Sequence, residues 1–136
     1  MKTLELEQKK AMIKPQELRI GNYIEYNGEI IKLDGSLLCC YIQNELDYPF
    51  NEVPLTEEWL LKLGFNKEGS DFTKEFRVHA DCYSQLIITI DQKKAMIYMA
   101  TPDGDRNNAY LSFPHSVHQL QNLFYALTCE ELTFKN

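Results

Sequence analysis

The chain contains no apolar run near the roughly 18 to 20 residues that span a bilayer, and residues 1–10 alternate charge with leucine instead of forming a secretion signal's apolar core. A cytoplasmic protein with no membrane role is expected. Recognisable catalytic motifs are missing too: G-x-G-x-x-G, Walker A, G-x-S-x-G and H-E-x-x-H do not occur. Their absence removes the common phosphate-binding and hydrolytic routes, and no enzyme and no cofactor are expected. There is no C-x-x-C pair, so Cys39, Cys40, Cys82 and Cys129 read as reduced, inert thiols. Neither an internal repeat nor a low-complexity stretch is present.

What remains is the composition of an ordinary globular domain, 136 residues with 44% hydrophobic and 25% charged side chains. The net charge of −6 has the wrong sign for broad contact with phosphate backbones. Nucleic acid is therefore a disfavoured partner.

Pro15 sets a boundary between a leader, 1–14, and one α+β domain, 15–136. From Leu18 the apolar period is two, and Asn27-Gly28 is a hairpin signal, because a type I′ turn needs positive φ at both central residues. Asp34-Gly35 reads as a second turn, and the apolar run 37–42, LLCCYI, as a third strand buried on both faces. A β-meander follows, with an SH3-like partial barrel as one way to close it. Residues 44–51 read as a loop.

A helix is expected after Pro54, with Thr56 as N-cap, Glu57 and Glu58 in its first turn, Gly64 just past its end, and Trp59, Leu60 and Leu63 on its apolar stripe. After a loop at 66–71, strands are expected at 72–78, 85–90, 95–100 and 110–113, with 101–108 as a loop. Residues 133–136 read as an edge strand or a frayed end. Strand runs punctuated by helices indicate α+β, with an antiparallel sheet and the C-terminal helix packed on it.

Two His-containing pairs, His79 with Cys82 and His115 with His118, stand at spacings that zinc sites use, but no glycine knuckle surrounds them. The run 103–107 imitates an EF-hand start and fails where Asn108 replaces the required Gly and Pro114 the bidentate Glu.

Residues 116–128, SVHQLQNLFYALT, place Val117, Leu120, Leu123, Phe124 and Leu127 on one helical arc. The opposite arc is polar without one formal charge. His118, Gln121, Asn122 and Tyr125 share its flank, an uncharged strip that either this chain's own segments or a partner would cover.

Three stretches carry a resemblance: IKPQELRIGNYIEYNGEIIKL at 13–33, VPLTEEWLLKLGF at 53–65 and VHQLQNLFYALTCEEL at 117–132. Together they resemble an uncharacterised family of small proteins of Bacteroidota and their phages and mobile elements. The resemblance implies that 1–11 are an extension or follow from an upstream start, and that Cys129 occupies a position where relatives carry Gly, so a helix cap with positive φ is less comfortable here. It brings no catalytic residue.

The function expected is that of a non-enzymatic protein-binding or adaptor protein of a phage or mobile element, acting through a protein partner or self-association, with His118, Gln121, Asn122 and Tyr125 as its surface. A nucleic-acid role resting on the SH3-like meander and exposed Tyr23 and Tyr26 is the alternative. A small zinc protein is a third.

Overall fold

The computed structural model describes residues 12–77 and 82–134. They form two compact units, one from residues 12–54 with Ser116–Asn122, the other from Leu55–His115 with residues 123–134.

In the first unit, β1 (Tyr23–Tyr26) and β2 (Glu29–Lys32) form an antiparallel hairpin. Its turn has φ of 51° at Asn27 and 82° at Gly28, the positive pair that a type I′ turn requires. The expected third strand is instead a helix, α1 (Gly35–Ile42). Asp34 is its N-cap rather than a turn residue, its carboxylate accepting the Leu37 N–H at 2.7 Å. The helical period turns Leu37, Leu38 and Tyr41 onto the core of Ile13, Leu18, Ile24, Leu33 and Phe50. It leaves Cys39 exposed and Cys40 half-buried, so neither thiol is a core residue.

The third strand lies where a loop was expected: β3 (Phe50–Asn51) pairs with β1 on the side away from β2. The result is an open sheet, and nothing among the described residues closes an SH3-like barrel. Tyr41 stacks on Phe50 with centroids 4.1 Å apart and donates its hydroxyl to the Ile13 carbonyl at 2.6 Å. That bond, with Ile13 N–H donating to the Phe50 carbonyl at 3.0 Å, ties Ile13 into the first unit.

The second unit begins with α2 (Glu57–Lys62), which matches its expected signals. The Thr56 hydroxyl accepts the Trp59 N–H at 3.3 Å, and Gly64 takes φ of 92° just past the end. Trp59, Leu60 and Leu63 are buried. The larger sheet runs in sequence order, β4 (Asn66–Glu68), β5 (Asp71–Phe76), β6 (Tyr83–Thr89), β7 (Lys94–Ala100) and β8 (Arg106–Leu111), every neighbour antiparallel. The loops expected at 66–71 and 101–108 thus each yield strand, joined by turns in which Gly69 and Gly104 have positive φ. Residues 133 and 134 form no strand, and 135–136 lie outside the described residues.

The last helix, α3 (Val117–Thr128), gives its residues through Asn122 to the first unit and the rest to the second. In the second unit its Phe124 is buried edge-on against Phe76 of β5, centroids 6.3 Å apart, so this helix packs on the sheet as expected. No helix of the described residues is long and apolar enough to cross a membrane.

Candidate interaction surface

The uncharged flank of α3 is covered by this chain's own backbone. Residues 17–23, from the end of a 3-10 turn to the first residue of β1, run beside it in the first unit and present peptide groups to its amides. Gln121 serves them from both ends of its amide: Oε1 accepts the Tyr23 N–H at 2.8 Å, and Nε2 donates to the Gly21 carbonyl at 3.0 Å. Asn122, one residue on, meets two side chains with one end of its amide and a peptide carbonyl with the other. Its Oδ1 accepts from Arg19 Nη1 at 2.8 Å and from Asn22 Nδ2 at 3.0 Å, while its Nδ2 donates to the Glu17 carbonyl at 2.7 Å. A side-chain amide can donate and accept at once, which an ionised carboxylate or ammonium cannot. The missing charge follows from that requirement.

Of the strip proposed from sequence, His118 and Gln121 therefore have no exposed surface and Asn122 is half-buried. Tyr125 keeps 40% of its surface exposed. His118 places Nδ1 3.0 Å from the Ser116 hydroxyl, while its buried Nε2 has no hydrogen-bond partner among the described residues. Burial holds its pKa below the ordinary 6.5, and the Glu17 carboxylate offsets this only in part.

The other candidates separate. His79 lies outside the described residues, among which no group of three or more His, Cys, Asp or Glu side chains could hold a metal. His115 packs edge-on against Phe113, centroids 5.2 Å apart. Desolvation, reinforced by Glu45, pushes the Cys40 thiol above its ordinary pKa, the wrong direction for a nucleophile. Asp103 to Asp105 make the β7–β8 turn, with Thr101 donating to the Asp105 carbonyl at 2.9 Å. In the first unit Tyr23 is buried, and Tyr26 is half-buried edge-on against Phe50 at 5.6 Å and Tyr48 at 6.0 Å, so the exposed aromatics expected there are not available for stacking on bases.

A surface does emerge from the register of the larger sheet. Alternation sends Ser84, Leu86 and Ile88 of β6 inward, all at 0% exposure, with Ala95 beside them. The outward set is Tyr83, Gln85, Ile87 and Thr89 on β6, Lys94, Met96, Tyr98 and Ala100 on β7, and Arg106, Asn108 and Tyr110 on β8, with Asp71, Thr73 and Glu75 of β5 on the same parity. Pairing aligns Ile87, Met96 and Tyr110 in one row and Gln85, Tyr98 and Asn108 in the next. Tyr83 meets Tyr98 edge-on at 6.4 Å and donates its hydroxyl to Glu75 at 3.1 Å. Thr73 and Thr89 are buried at the β5 margin and the rest of the set is not, Tyr83 and Tyr110 being 42% and 74% exposed. Tyrosine, methionine and arginine are enriched in interface cores, and here Lys94 and Glu75 stand at the margin of the tyrosine and methionine patch. Sequence reasoning found β6 and β7 and placed the first half of β8 in a loop, and it missed the surface because both parities of β6 and β7 are apolar; tyrosine recurs at 83, 98 and 110, but only the register brings the three to one face.

A separate hollow of about 500 Å³ in the second unit is lined by Leu55, Thr56, Glu57, Lys67, Ser70 and Phe72 among others, and its lysine is held by Glu57 at 2.7 Å. Comparison with protein-family models, characterised proteins and solved structures finds no match.

Proposed function

We propose that this chain is a non-enzymatic, cytoplasmic binding or adaptor protein, acting by protein–protein contact through the outer face of the larger sheet, and that it belongs with the phage and mobile-element proteins its motifs resemble. One observation carries the reading: Tyr83, Ile87, Met96, Tyr98 and Tyr110 form a contiguous aromatic and aliphatic surface on paired strands, whose backbone loses little freedom on binding. Protein is favoured over nucleic acid by the net charge of −6. The zinc and nucleophile candidates lend no support to a catalytic alternative.

The test compares baits in cells that carry the gene: wild type, Met96→Ser/Tyr98→Ser on the face, and Ile30→Ser, a 53% exposed residue of the first unit. A protein retained by wild type and Ile30→Ser but lost by the face variant is the expected result. Equal retention by all three contradicts the assignment of the face. Retention of single-stranded nucleic acid that the face variant abolishes would replace protein with nucleic acid as the partner.

A further inference from the structure

The two edges of the larger sheet are built differently. β4 is three residues long and carries Lys67 and Glu68, the short charged form that discourages pairing. β8 is six residues long, has no proline and no lysine, and pairs with β7 without a bulge from Ala95↔Leu111 to Ala100↔Arg106. Its only charge is Arg106, at one end. Such an edge is a template for another strand.

The pairing fixes which backbone groups are on offer. Thr101 N–H donates to the Asp105 carbonyl at 2.9 Å, and in an antiparallel ladder bonded pairs alternate from there. Asn107, Ala109 and Leu111 thus spend their N–H and C=O on β7. Arg106, Asn108 and Tyr110 turn theirs outward, where they have no partner among the described residues. We propose that β8 pairs antiparallel with β8 of a second copy of this chain, about a two-fold axis through Asn108, joining two of these sheets into one.

The strand's own sequence selects this occupant. Centring on Asn108 is the two-fold register that engages every outward group, since centring on Asn107 or Ala109 leaves Tyr110 or Arg106 unpaired at the margin. In the same register each Arg106 faces a tyrosine, Tyr110 of the second copy, and Asn108 faces Asn108. Guanidinium lies against an aromatic ring, amide meets amide, and no like charges oppose each other. An isologous contact demands this self-complementarity. The inference goes beyond the face described above, because the backbone edge can pair whether or not the face holds another protein.

Sedimentation velocity of the full chain across a wide concentration range, with amide exchange measured at both ends, tests it. A monomer–dimer equilibrium is expected, with the Arg106, Asn108 and Tyr110 amides slowed in the dimer. Tyr110→Lys sets an ammonium against the guanidinium at both ends of the pair and is expected to weaken the dimer at least about tenfold. Adding Arg106→Glu to that variant turns both contacts attractive and is expected to restore it. The proposal is overturned by a monomer at the highest concentration, by a dimer in which those amides exchange as in the monomer, or by a double variant no tighter than Tyr110→Lys alone. Edge amides that slow only when a different protein is added would assign β8 to that protein.

Discussion

Gln121 of α3 accepts the backbone N–H of Tyr23 at 2.8 Å, across 98 residues of sequence. The bond explains why an amide with no exposed surface sits on a helix whose length and apolar stripe alone would admit almost any polar residue. Gln121→Leu keeps the volume and removes both functions of the amide, leaving the Tyr23 N–H and the Gly21 carbonyl unpaired in a dry site. A loss of about 2–4 kcal/mol is expected, read as a lower urea midpoint at unchanged slope. A change under 0.5 kcal/mol, on the order of an ordinary surface substitution, would show that water serves those groups equally well.

His118 gives a pH dependence with a definite sign. Its folded pKa lies below the ordinary 6.5, so the unfolded chain takes up the proton first. Stability from the neutral imidazole is complete above pH 6.5 and is lost as pH falls below that value toward the folded pKa. Urea midpoints measured downward from pH 7.5 should decline in wild type, with a shallower decline in His118→Gln. Parallel curves would mean that the carboxylates, not His118, set the slope.

Cys129 ends α3 with φ of 60°, its N–H donating to the Tyr125 carbonyl at 2.8 Å. A side chain in this left-handed region is strained, and the thiol of Cys129 is free and exposed. Cys129→Gly is expected to raise stability by about 0.5–1 kcal/mol, measured by thermal or urea unfolding. Cys129→Ala, which keeps the Cβ, should bring no such gain.

The parts of the fold legible from sequence are those in which one residue's conformational need decides the outcome. Asn27-Gly28 dictated a turn, and Thr56 and Gly64 bracketed a helix; the strained cap at Cys129 came from the resemblance and not from the residue itself. The run LLCCYI was not legible as helix, because six apolar residues satisfy a buried strand and a buried helix equally. Asp34 was the discriminating signal, and it reads as turn or N-cap until the first turn of helix is in view. The division into two units left no trace in composition at residues 54–55 or 115–116. On the candidate site, the absence of charge on α3 goes with burial of His118 and Gln121, while Tyr125 on the same flank stays 40% exposed. It could not say that residues 17–23 supply the cover, since that depends on unpaired peptide groups about a hundred residues away. The outer face of the sheet escaped notice for a different reason: period two locates a strand without saying which parity meets the core.

We propose that a partner protein meets the sheet face and not the flank of α3. Site-specific photo-crosslinking in cells that carry the gene tests it, with p-benzoylphenylalanine replacing Tyr98 in one strain and Tyr125 in another. A discrete adduct from position 98 and none from position 125 is the predicted result. An adduct from position 125 alone would return the binding surface to the helix and contradict the claim.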